Sequence, residues 1–160
     1  MIARFLPLVL LAGLLTGCLG STDGDASVEV GAEALYFEPV GIGQAGTLSD
    51  TTEIVLRTPE EWSAIRDSLR SPEAFRSVDF SQTMLMVAAL PQPSGGYRIQ
   101  FESVEKEGDD IIASYAVYGP AADCITIMGR TLPFQVIAVR VAAGNVTFRR
   151  RLVLESCELD

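Results

Sequence analysis

The 160-residue sequence contains no histidine. That removes Ser-His-Asp and Cys-His catalytic sets, and with them the imidazole ligands of a catalytic zinc site. Basic residues are also scarce, with 12 Lys and Arg against 21 Asp and Glu and a net charge of −9. A chain this acidic repels phosphate backbones, so nucleic acid is not an expected partner. The sole basic run, Arg149-Arg150-Arg151, reads as a solvated strand edge that counters the acidic surface. Paired carboxylates could still do acid–base work. However, Glu60-Glu61, Glu105 to Asp110 and Asp123 fall in helix starts and loops, without the spacing of such a pair. The expectation is a non-enzyme with no cofactor and no metal.

Cysteine is nearly as rare, with three in all. Residues 1–17, MIARFLPLVLLAGLLTG, carry one charge, Arg4, before an apolar run that ends in small residues. This pattern is a secretory signal, too short for a permanent transmembrane helix. Leu15-Thr16-Gly17-Cys18 resembles a bacterial lipobox, whose cysteine receives lipid and becomes the first mature residue; an ordinary signal with a chance cysteine is the alternative. Residues 18–33 then read as a flexible tether, small and polar. Leu19, rather than Asp, follows the cysteine, which is similar to sorting signals for the outer membrane. The expected location is the bacterial envelope, lipid-anchored and facing the periplasm. Cys124 and Cys157 remain, and an even pair in an oxidising compartment reads as one disulfide, with two buried thiols as the alternative. Closing that loop would stabilise the fold by roughly 3–4 kcal/mol in the chain-entropy model.

Residues 34–160 form one domain's worth of chain. Residues 34–40, ALYFEPV, predict a first strand; GIGQAGTLSDTT reads as a loop and Glu53–Arg57 as a short strand. Thr58-Pro59-Glu60-Glu61 is a capping box with proline at the first helical position. Trp62, Ile65 and Leu69 follow at helical spacing, so a helix is predicted over Pro59 to about Leu69, stopped by Ser71-Pro72. Trp62 fits a core anchor better than a ligand-stacking residue. Met84–Leu90 is apolar on both faces, as in a strand buried on two sides, although a short buried helix would share the pattern. Tyr97, Ile99 and Phe101 alternate with polar residues, EKEGDD turns around Gly108, and Ile111–Tyr118 returns. Pro133–Val141 is a second two-faced strand, Gly144-Asn145 a turn, and Val146–Leu154 closes the chain. The expected fold is mostly β (α+β): an antiparallel sandwich or curled sheet of about seven strands with one packed helix.

Three segments occur in a familiar order: EIVLRTPEEWSAI, VDFSQTMLMVAALPQPSGGYRIQFESV and TLPFQVIAV. They resemble the C-terminal domain of the PrcB family, named for a subunit of a bacterial surface protease complex. The matching positions are Glu61-Trp62, Asp79-Phe80-Ser81, Pro93-Ser94-Gly95-Gly96-Tyr97 and Leu132-Pro133-Phe134, within residues 35–141. Ser94 stands where the family favours threonine, Phe134 replaces tyrosine and Gln135 replaces histidine. The Cys124/Cys157 pair is not a family feature. The resemblance implies a non-catalytic accessory or interaction module of the envelope, with a protease among its candidate partners.

The predicted partner-binding edge comprises Pro93, Ser94, Gly95, Gly96 and Tyr97, approached by Arg130, Thr131, Leu132 and Pro133. Stiff Pro/Gly loops bind at low ordering cost, and a rim tyrosine is a common anchor. Tyr97 nevertheless shares parity with Ile99 and Phe101, which favours an inward ring and leaves the Pro93–Gly96 crest exposed. The same loop is loosely similar to the loop that chagasin-like inhibitors present to cysteine proteases. Protease inhibition through Pro93–Tyr97 is therefore the alternative function.

Overall fold

The computed structural model describes residues 31–157. The signal segment 1–17, the lipidation candidate Cys18 and the tether up to residue 30 lie outside the described residues. The elements run β1 (Glu33–Ala34), β2 (Phe37–Gly43), β3 (Ala45–Gly46), β4 (Thr52–Leu56), α1 (Pro59–Arg66), β5 (Leu69–Arg70), β6 (Thr83–Ala89), β7 (Gln92–Ser94), β8 (Arg98–Glu107), β9 (Asp110–Pro120), β10 (Met128–Thr131), β11 (Phe134–Arg140) and β12 (Asn145–Glu155). Seven of these strands have five residues or more, as expected; the other five are short pairing segments.

Two four-stranded sheets carry the fold. One has the order β1-β8-β9-β12 and the other β2-β11-β6-β4, while β3–β5 and β7–β10 form small separate pairs. The run Met84–Leu90 explains the layering, because every residue in it is buried. Met84, Met86, Ala88 and Leu90 face the first sheet and meet Ile99, Phe101, Ile111, Tyr115 and Val117. Leu85, Val87 and Ala89 face the other way, toward Trp62 of α1 and toward Leu56, Leu69 and Phe134. The second sheet is thus covered on both sides, which is why its central strands lack polar alternation. Edge-to-face stacking of Trp62 on Phe75, with ring centroids 5.1 Å apart, seals the helix side.

The helix begins as its sequence dictates. Thr58 Oγ1 accepts from the Glu61 N–H at 3.2 Å, and Glu61 Oε2 accepts from the Thr58 N–H at 3.1 Å. It stops at Arg66, short of Leu69, because Leu69-Arg70 pairs instead with Ala45-Gly46. The predicted loop GIGQAGTLSDTT therefore holds the end of β2 and all of β3. A Cβ on Gly46 would lie 2.4 Å from the Ser68 carbonyl oxygen, so only glycine permits that approach.

Two chain crossings break the antiparallel pairing of sequence neighbours. Residues 33–43 divide between both sheets: β1 pairs with β8, and β2 pairs with β11. After β11 the Gly144-Asn145 turn makes no hairpin, since both edges of β11 are already taken by β2 and β6. The chain passes instead to the other sheet, where β12 runs parallel to β9 from Asn145 opposite Asp110 to Glu155 opposite Pro120. Gly144, at φ 132°, allows this step, and Arg57 Nη1 donates to the Ala142 carbonyl at 3.0 Å to clamp it.

Candidate partner-binding surface

At the Arg98 end of β8, the loop PQPSGGYRI is built into a small sheet. Met128 pairs with Ser94 and Thr131 with Gln92, with an irregular register between them. The Gly95 N–H donates to the Ile127 carbonyl at 3.0 Å, and the Thr131 hydroxyl donates to the Ser94 carbonyl at 2.8 Å. Gly96 has φ 89°, the left-handed conformation that made a glycine necessary here. The crest is therefore a stapled turn with both flanks bonded.

The structure sorts the predicted binding residues into presenters and supporters. Pro93 and Gly96 are exposed, while Ser94 and Gly95 are half-buried. Tyr97 packs inward against the inter-sheet core, its ring lying over Gly119, where a Cβ would come within 2.6 Å of the ring. Leu132 and Pro133 are buried beneath the surface. Arg130 points its guanidinium at the Leu48 and Ser49 carbonyls, at 3.2 and 3.0 Å, and so ties β10 to the β3–β4 loop. Of the approach residues, the half-buried Thr131 stays closest to the crest, bonded to it as above.

Sequence reasoning did not single out Ile125, Ile127 and Met128. They are 102%, 84% and 86% exposed, and Ile127 and Met128 lie directly beside Gly95 and Ser94. A cleft of about 520 Å³ runs between this apolar strip and Gly95, Gly96, Gly119 and Pro120. The available signal was the alternation Cys124-Ile125-Thr126-Ile127 inside a segment otherwise rich in small residues.

Cys124 and Cys157 form a disulfide with Cα atoms 5.0 Å apart, tying the root of the apolar strip to the end of β12. Asp123 reinforces the junction, accepting from the Ser156 hydroxyl at 2.6 Å and from the Cys157 N–H at 2.8 Å. Next to it the Arg98 guanidinium forks onto Glu155 and stacks over the Tyr118 ring at 3.9 Å. The hydrogen bond from Arg98 holds the Glu155 carboxyl below its usual range. Arg151 does the same for Glu102 on the outer face of this sheet.

A second groove, of about 800 Å³, separates the start of β8 from β2 and β11. Gln135, on its floor, takes the Phe101 N–H onto Oε1 at 2.6 Å. Gln135 thus satisfies a backbone donor on a stretch of β8 that no strand flanks on this side among the described residues.

These features define a two-sheet β domain with one helix, bearing a rigid loop-and-strip surface clipped by a disulfide. Within it, the family model described as PrcB C-terminal matches residues 83–140, the span from β6 through β11. The match includes the stapled crest and the apolar strip and leaves out α1, β12 and Cys157. No curated protein and no solved structure matches the chain.

Proposed function

We propose that this chain is a non-catalytic, lipid-anchored accessory module of the bacterial envelope that docks a protein partner through the Ile125-Ile127-Met128 strip and the Pro93–Gly96 crest. The observation that carries this reading is the exposure of three large apolar side chains on a segment fixed at both ends, by the disulfide and by the β7–β10 pairing. Isolated exposed apolar residues are ordinary, whereas several held together on a rigid support mark an interaction surface. The PrcB C-terminal match supports association with a protease complex. Lipidation at Cys18 and a periplasm-facing outer-membrane location rest on the signal pattern, and the absence of histidine supports a non-catalytic role.

Affinity capture of the lipidated protein from its native envelope tests this, comparing wild type with an Ile125→Ser, Ile127→Ser double variant. The variant is expected to fold normally and to lose one or more partners. Identical partner sets from both proteins would overturn the assignment. Inhibition of a protease by a protruding Pro93–Tyr97 wedge has less support, because Ser94 and Gly95 are bonded into β7–β10 and Tyr97 is turned inward.

A further inference from the structure

β12 closes the first sheet, and among the described residues no strand pairs with its outer edge. One hydrogen bond fixes which of its backbone groups face outward. The Ala121 N–H donates to the Glu155 carbonyl at 2.9 Å, continuing the parallel ladder with β9. In such a ladder alternate residues turn both backbone groups to the neighbour. Glu155, Val153, Arg151 and Arg149 therefore bond toward β9, and Leu154, Leu152, Arg150 and Phe148 offer N–H and C=O to the open side. The same four side chains share the inner face, being in register with Gly119, Val117, Tyr115 and Ala113. Phe148 reaches the core from there, but Leu152 and Leu154 remain 63% and 60% exposed.

A free eleven-residue edge with exposed leucines invites strand addition, and the three arginines restrict what can add. In a two-fold antiparallel pairing of β12 with a second copy, an axis at Arg149, Arg150 or Arg151 sets guanidinium opposite guanidinium, which is destabilising. An axis at Phe148 leaves every arginine without a carboxylate opposite. An axis at Leu152 sets Leu152 on Leu152, Arg150 on Leu154, Arg151 on Val153, and Arg149 on the partner's Glu155. Arg149 has no ion-pair partner among the described residues, and this register sets it against a Glu155 carboxylate that already carries the Arg98 fork and has remaining lone pairs to share. Moving the axis on to Val153 shortens the paired run, because the chain leaves the strand at Ser156, which is tied to Asp123.

We propose that β12 is a self-association edge, pairing antiparallel with β12 of a second copy about a two-fold axis at Leu152. The two four-stranded sheets would then run on as one, with Leu152 and Leu154 of both copies and two Arg149–Glu155 pairs at the seam.

Site-directed cross-linking of the full chain in membranes tests the register. Leu152→Cys would face itself across the axis, whereas Thr147→Cys, exposed on the same strand, would lie far from its counterpart. Under mild copper-phenanthroline oxidation, Leu152→Cys is expected to give a covalent dimer several-fold above the level of wild type and Thr147→Cys. Adding Arg149→Glu, which sets acid against acid in this register, should suppress that dimer. Leu152 is exposed, so neither change disturbs the core. A Leu152→Cys dimer no stronger than the Thr147→Cys dimer would overturn the proposal. Cross-linking of Leu152→Cys to a different protein, or no effect of Arg149→Glu, would overturn it equally.

Discussion

Gly144 and Tyr115 show how much of this fold hangs on single side chains, or on the lack of one. A Cβ at Gly144 would stand 2.1 Å from the Asp109 carbonyl oxygen, at a φ of 132° that side chains rarely adopt. Gly144→Ala is expected to destabilise the domain by about 2 kcal/mol or more, measured by denaturant titration. Tyr115 is buried at the inter-sheet core and donates its hydroxyl to Glu53 at the edge of the opposite sheet. Burial first, and this bond second, push its pKa above the ordinary 10.0. The folded state then keeps a proton that the unfolded chain releases, so this stabilisation is complete below the unfolded value and drains away as pH rises above it. Stability measured across roughly pH 9 to 11 should fall more steeply for wild type than for Tyr115→Phe, which cannot ionise. Glu102 and Glu155 work in the opposite sense. Hydrogen bonds from Arg151 and Arg98 lower their pKa values, so their contribution is present above the ordinary 4.5 and lost as pH falls below it.

Among the elements, those with a local cause were the ones legible in the sequence. The capping box at Thr58 marks where α1 starts, and the unbroken apolar run marks β6 as an element covered on both sides. The Asp79-Phe80-Ser81 motif likewise has a local cause: Asp79 Oδ1 accepts from the Ser81 N–H and hydroxyl, closing the turn that leads into β6. Elements whose cause lies far along the chain were not legible. Leu69 reads as the end of a helix until Ala45-Gly46 is seen beside it, and Gly144-Asn145 reads as a turn whose destination stays open until the occupied edges of β11 are known. The same limit applied at the surface. The crest residues announce themselves through Pro and Gly, whereas Ile125 and Ile127 carry no such local mark, and only the disulfide and the Gly95 bond hold them outside. Reduction of Cys124–Cys157 should lower stability by about 2–4 kcal/mol, read as a fall in melting temperature with reductant. It should also weaken partner capture, because the strip loses one of its two fixed ends.

At the scale of the whole molecule, the two sheets are joined by a packed core and by few polar ties. Gln135 is one such tie, reaching from β11 to the Phe101 N–H of β8. Gln135→Leu would leave that half-buried donor without a partner and is expected to cost about 1–3 kcal/mol, measured by equilibrium unfolding. Length along β8 then gives the molecule a polarity. The described chain starts at the Glu107 end of that strand, where Glu33 pairs with Lys106. The crest and apolar strip follow the Arg98 end, where Tyr97 lies over Gly119. Ten extended residues separate the two, about 30 Å. Under the proposed anchoring at Cys18 the tether would join the domain at this base, and the proposed docking surface lies at the opposite tip. The free edge of β12 would run along the flank between them, on the side of the sheet opposite β1, so that two anchored copies could join side by side with both tips uncovered.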